Sequence, residues 1–200
     1  MHTAYFLRIE LRDLKPTIYR EVMVDPGTTL RKFHKVIQAA MGWEDCHLHA
    51  FAMPSGSQRF YRVPHDDVFE PRNAEAWGEP ANDDSKYKVG DLLRAPKDKL
   101  LYQYDFGDDW EHVITLKSIV ETESPLPHLM KAQNGCPPEN CGGPPGFAHW
   151  AEIWFDVQHP EHDTALAVFD SQAPGTLDFE TLQKAVKKLQ PKKPKLGSVQ

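Results

Sequence analysis

Four side chains within eight residues, Asp105, Asp108, Asp109 and His112, form the densest group of acid, base and metal-ligand types in this chain. Three carboxylates so close together repel one another unless water, a cation or a basic partner compensates them. The pattern suits a divalent cation with His112 as general base, as in metal-assisted phosphodiester chemistry. It equally suits a hairpin turn in which Asp105 accepts hydrogen bonds, Gly107 takes a left-handed conformation, and Asp108 and Asp109 face solvent. Trp110 and His112 then belong to a packed strand face. The tripeptide Asp105-Phe-Gly invites comparison with a kinase magnesium loop. No glycine-rich phosphate loop or His-Arg-Asp loop accompanies it, which excludes that reading.

The second chemical group is Cys136-Pro-Pro-Glu-Asn-Cys141-Gly-Gly143. Four residues separate its cysteines, a spacing used for paired zinc thiolates. Pro137 and Pro138 stiffen the loop, and Gly142 and Gly143 permit a sharp reversal. Two further zinc ligands would come from His47, His49, His112 or Asp105. The alternative is that both cysteines are small apolar plugs beneath a Gly/Pro loop. His47 and His49, two apart on an expected strand, project to one face as a chelating pair or as ordinary polar residues. Trp43, Trp110, Trp150 and Trp154 either line an aromatic cleft or share a hydrophobic core. The candidate ligand site is thus Trp43, Asp105, Asp108, Asp109, Trp110 and His112. The candidate metal ligands are Cys136, Cys141, His47 and His49, with zinc as the cofactor they suit.

The elements that must position these groups are legible as patterns. Tyr5, Leu7, Ile9 and Leu11 alternate with charged residues, as in a half-buried strand. A turn at Lys15-Pro16 and a second strand through Ile18, Val22 and Val24 complete a hairpin. Thr28 or Thr29 caps a helix with Leu30, Phe33, Ile37, Ala40 and Met41 at helical spacing, and Gly42 closes it. A third strand is expected near 47–53, and a hairpin with strands 100–106 and 110–120. Residues 54–99 read mostly as an insertion, with a short strand at 60–63 and an apolar element at 89–93. After Pro125 three helices follow, near 147–157, 160–170 and 178–189. The fold class is α+β: an N-terminal β-hairpin plus helix (β-grasp-like), a mixed or antiparallel sheet and a helical C-terminal third. One domain over 1–190 and a basic flexible tail over 191–200 are expected.

Composition narrows the function classes. Of the residues, 40% are hydrophobic and 26% charged, ordinary for a globular protein. No apolar run is long enough to span a bilayer, and the N-terminus lacks the pattern of a signal peptide, so no membrane is expected. Three cysteines, an odd number, argue against a disulfide framework. A cytoplasmic location is the simplest reading. Six of the 23 basic residues are lysines within 181–200, leaving 17 basic against 29 acidic residues overall. Such an acidic body disfavours broad nucleic-acid binding, which the lysine tail suggests only weakly.

Four segments, taken together, resemble the plasmid pRiA ORF-three-like family, named after an open reading frame on a root-inducing plasmid. They are Ile18-Tyr-Arg with Thr29–Gln38; Gly42-Trp with His47-Leu-His-Ala-Phe51; Tyr104–His112; and Cys136–Gly143. The resemblance spans about residues 3–190. It implies an α+β domain of unassigned biochemical role, associated with plasmids and mobile elements. Some members carry a resolvase label. The residues oppose it here: the first serine is Ser55 and the last tyrosine is Tyr104, so neither a serine nor a tyrosine recombinase arrangement is present. Members often have a further cysteine ahead of the Cys-Pro-Pro motif, where this chain has Lys131-Ala-Gln-Asn134. The expected function is a binding or interaction module, with a protein partner as one reading. The rivals are a metal-dependent hydrolase or nuclease and a zinc-binding nucleic-acid accessory protein.

Overall fold

The computed structural model describes residues 1–55, 59–61 and 82–191. The expected hairpin is β1 (His2–Leu11) and β2 (Ile18–Val24), antiparallel, with Leu7 opposite Val22. Tyr5, Leu7, Ile9 and Leu11 are all buried, as the alternation requires. Helix α1 (Leu30–Met41) begins at Thr29, whose side chain accepts from the Lys32 amide, and ends at Gly42 with φ 91°. Only the left-handed region closes the last turn this way, and glycine enters it without a Cβ penalty. Leu30, Phe33 and Ile37 are fully buried beneath the helix, each contributing about 1.5–3 kcal/mol.

The remaining elements are β3 (His49–Ala52), β4 (Arg59–Tyr61), β5 (Asn82–Asp83), α2 (Val89–Leu92), β6 (Lys99–Tyr104), β7 (Trp110–Thr122), β8 (His128–Gln133), α3 (Gly143–Phe155), α4 (His162–Val168) and α5 (Phe179–Lys187). The strands make one sheet in the order β5-β4-β3-β6-β7-β1-β2-β8. Every pairing is antiparallel except that of β4 with β5. This is a mixed α+β architecture. The hairpin-plus-helix opening is present, and the strand beside β1 is β7, antiparallel to it. One cluster of buried apolar residues extends from Tyr5 to Val186. Helix α5 packs against α1 and β8, while α3 packs against α4. A Cβ at Gly42 would come 3.1 Å from Leu182 Cδ2, so the end of α1 fits closely against α5.

Three features differ from the pattern reading. His47 precedes β3 instead of lying on it, because the strand pairing starts at His49 opposite Tyr104. Residues 82–99 are more than an insertion: besides the expected apolar element, which is α2, they supply β5 and the fully buried Asp84. Strand β8 was not expected; of its six residues only Leu129 is buried. Residues 56–58 and 62–81 of the expected insertion, including the end of its strand at 60–63, and the tail beyond Pro191 lie outside the described residues. Among the described residues no helix is long and apolar enough to cross a membrane.

Candidate functional site

Three loops meet at one end of the sheet: residues 43–47 after α1, the turn 105–109 between β6 and β7, and the Gly/Pro loop 134–142. The turn is shaped by its aspartates. Asp105 and Asp109 take left-handed backbone at φ 53° and 57°, and Gly107 is not among the positive-φ residues, which reverses the expected assignment. Aspartate tolerates this region because its short side chain bonds locally. Asp105 Oδ1 accepts from the Gly107 amide at 3.0 Å, and the Asp105 amide donates to the Leu48 carbonyl. The turn and the Gly/Pro loop are in backbone contact. Asp108 Oδ2 accepts from the Gly142 amide at 3.1 Å, and a Cβ on Gly143 would stand 2.2 Å from the Asp108 carbonyl oxygen. Gly143 is therefore required by approach as well as by its φ of 67°.

The Gly/Pro loop also reaches the 43–47 segment. Trp43 Nε1 donates to the Pro137 carbonyl at 2.9 Å, and Glu139 Oε1 accepts from the Glu44 amide at 2.7 Å. Glu139 Oε2 accepts from the Cys46 thiol at 2.6 Å. Tyr104 holds this junction together. Its hydroxyl donates to Glu139 and accepts from the Cys46 and His47 amides at 3.1 and 3.3 Å. Its ring stacks on Trp43 with centroids 5.0 Å apart. Burial, then the Glu139 charge, raises the Tyr104 pKa far above the phenol range, so it serves only as a neutral phenol. His47 Nε2 lies 3.4 Å from Asp105 Oδ2 and 3.5 Å from Glu139 Oε2, yet it is buried and aligned for a hydrogen bond with neither.

The expected residues thus divide. Asp105, Asp108, Trp43 and His47 join the junction. The three aspartates do not act as one group, since Asp109 accepts from Gln103 Nε2 on the exposed side. His112 is fully buried, with Nδ1 directed at the Trp110 carbonyl at 3.0 Å and its edge against Trp43. Burial pushes its pKa down to about 4, which leaves a weak base out of solvent's reach. Trp110 is core. Cys136 and Cys141 are separate from any three-donor group among the described residues. Cys136 donates to Met41 Sδ, and burial drives both thiols up to about 12. Neither is a thiolate near neutral pH. Trp150 and Trp154 have ring contacts with His149 and Phe155, not with Trp43 or Trp110.

His49 belongs to a second, drier cluster. Its Nε2 pairs with Asp84 Oδ2 at 3.0 Å, and Asp84 also pairs with Arg31 at 2.7 Å. The ring stacks on His34 at 3.6 Å and 8°. His34 in turn contacts Asp45 at 2.6 Å and the Tyr102 hydroxyl at 2.8 Å. Burial, then neighbouring His49, pushes the His34 pKa down to about 4.

The third feature is a cleft of about 550 Å³ between the Gly/Pro loop and the segment leading into α5, lined by Arg20, Trp43, Cys136, Glu139, Thr181 and Leu182 among others. Arg20 is fully buried. It donates to the carbonyls of Ala40, Tyr19, Gln133 and Asn134, and its Nη2 has no partner.

The model of the plasmid pRiA4b ORF-3-like protein family matches residues 3–185. The chain belongs to this family. An uncharacterized protein, y4hQ, of Sinorhizobium fredii (strain NBRC 101917 / NGR234) is 34% identical over 192 residues, covering 90% of this chain and 89% of that one. A crystal structure of a protein of unknown function, MM3350 from Methanosarcina mazei Go1, superposes with a TM-score of 0.75 at 26% identity. It covers 90% of this chain and 97% of that chain. The family is therefore one of uncharacterised proteins with this α+β fold.

Pattern reading passed over Glu139, Cys46, Tyr104 and Arg20. Glu139 sits inside the Cys136–Cys141 motif and Cys46 directly precedes His47, so the signals were adjacent to those weighed. What joins them is long-range contact, 93 residues apart for Cys46 and Glu139.

Proposed function

We propose that the protein is a cytoplasmic binding module that takes a small carboxylate-bearing ligand in the cleft beside Arg20. The observation that carries this reading is the state of that guanidinium. It is fully buried, bonded only to carbonyls, and pairs with no carboxylate among the described residues. A buried cation without a counter-charge is costly, and the charge of Arg20, whose Nη2 is unpartnered beneath the cleft surface, draws a carboxylate to the cleft. Trp43, Met41 and Leu182 give the cleft an apolar wall, as small-molecule sites require. Glu44, Asp170 and Asp178 also line it. Their charge favours a ligand whose carboxylate is accompanied by a cationic group, such as an amino acid. Three free thiols accord with a reducing compartment.

Titration of ¹⁵N-labelled protein with L-lysine and with succinate tests the reading. Saturable amide shifts at Gly135, Cys136 and Thr181 are expected, stronger with L-lysine. Thr181→Trp, at an exposed position of the cleft wall, should abolish them. Absence of saturable shifts with both probes removes the proposal.

A further inference from the structure

We propose that Cys46, His47 and Glu139 bind a zinc ion at the junction of the three loops, leaving its fourth position open. This proposal uses a different pole of the junction from the Arg20 cleft, shares only Glu139 with it, and does not rest on it. One ligand atom each from Cys46, His47 and Glu139 lies within 4.8 Å of the other two. In a tetrahedral site the distance between ligands is about 1.6 times the bond length, or roughly 3.4 Å for nitrogen and oxygen donors at 2.0–2.2 Å. The spacing of His47 Nε2 to Glu139 Oε2, 3.5 Å, matches such an edge; Asp105 Oδ2 stands 3.4 Å from His47 but outside the three-donor group. The Cys46–Glu139 contact of 2.6 Å is too short for an edge. On binding, the thiol proton leaves to solvent, sulfur becomes the ligand as thiolate, and it moves outward by about 1 Å. Cys46 is exposed and has room to do so.

A second observation points independently to an ion. His47 Nε2 is buried between two carboxylates, 3.4 and 3.5 Å away, and forms a hydrogen bond with neither. A metal ion held against Glu139 would give this buried nitrogen the partner it lacks. Among the described residues, neither Glu139 nor Asp105 has a lysine or arginine within ion-pair distance. The supporting contacts are those that orient metal ligands elsewhere. Glu139 Oε1 is held by the Glu44 amide and Asp105 Oδ1 by the Gly107 amide, which leaves each Oδ2 or Oε2 directed at His47. The Tyr104 hydroxyl holds the Cys46 and His47 amides. The donor set selects the metal. One thiolate and one imidazole exclude calcium and magnesium, which take oxygen donors, and favour zinc over them.

The test is metal titration of the full chain with Zn²⁺ and, as spectroscopic probe, Co²⁺ alone. One equivalent should be retained through gel filtration. Co²⁺ should give a thiolate charge-transfer band in the near ultraviolet and visible bands of tetrahedral intensity. Cys46→Ser should remove the charge-transfer band and weaken Zn²⁺ binding on the order of 100-fold. Cys46 is exposed, so this variant keeps the fold. Cys136→Ala and Cys141→Ala should leave the band in place. Failure to retain metal overturns the proposal. So does a band that survives Cys46→Ser and vanishes in Cys136→Ala or Cys141→Ala, which would move the site to the cysteine pair. Either outcome leaves the amide shifts of the Arg20 cleft as a separate result.

Discussion

The two histidine clusters are built from the same residue types and end in opposite electrostatic states. In the dry cluster every group has a complement: Asp84 meets His49 and Arg31, and His34 meets Asp45 and Tyr102. In the wet cluster His47 faces two carboxylates, Nε2 has no hydrogen bond, and an exposed thiol stands beside it. A buried, fully paired network specifies a fold, whereas a half-satisfied one costs stability unless a ligand completes it. The contrast assigns structure to the first and binding to the second.

The largest effect expected is on the dry side. Asp84→Ala removes a fully buried carboxylate and leaves Arg31 and His49 without it. Such a broken buried pair costs about 3–5 kcal/mol. Thermal or urea unfolding measures it directly, and a loss below about 1 kcal/mol, the size of an exposed pair, would remove the structural assignment.

Next in size is the stabilisation by zinc, which belongs to the wet side alone. At roughly a hundred times its Kd, Zn²⁺ should raise the unfolding free energy by about 2.7 kcal/mol. Glu139→Gln should lose this gain while its metal-free Tm stays near that of the parent. A zinc-dependent shift that persists in Glu139→Gln would break the comparison.

The pH response sharpens it further. His34 has a folded pKa of about 4, below its ordinary value of 6.5, because burial and His49 oppose the charged form. The unfolded chain therefore binds the proton first as pH falls. Stability from this residue is complete above about 6.5 and is lost between there and about 4, on the order of 2 kcal/mol by pH 5. His112, also at about 4, adds a loss of the same sign. NMR titration should place both midpoints near 4. A midpoint near 6.5 for His34 would mean that the stacked pair opens to solvent.

Much of this arrangement is written locally and some is not. The alternation of Tyr5 to Leu11 and the Thr29 and Gly42 caps specify β1 and α1, because burial there follows a short period. Strand β8 carries no such period, since an edge strand with one buried side chain needs none. The aspartate turn and the cysteine loop do meet, as their chemistry suggested, through Asp108 and Gly142. The cysteines drew attention as the softest donors in the loop, yet the donor that reaches His47 is Glu139 between them. Cysteine in an apolar setting behaves as a small hydrophobe, and nothing in a spacing tells that setting from a chelate.

The smallest effect is also the most selective. Tyr104→Phe removes one hydroxyl and keeps the ring that stacks on Trp43. That hydroxyl is bonded to Glu139 and to the amides of Cys46 and His47, so its loss frees the carboxylate and loosens the segment carrying two proposed ligands. The cost in stability should be about 1 kcal/mol, the net worth of such a bond. Zinc affinity should fall about tenfold, the usual penalty for losing a contact behind the ligands. The dry cluster provides the internal control, because His34 bonds Tyr102 and not Tyr104. Its NMR midpoint should be unchanged in the variant. A zinc affinity equal to that of the parent would show that Tyr104 positions nothing.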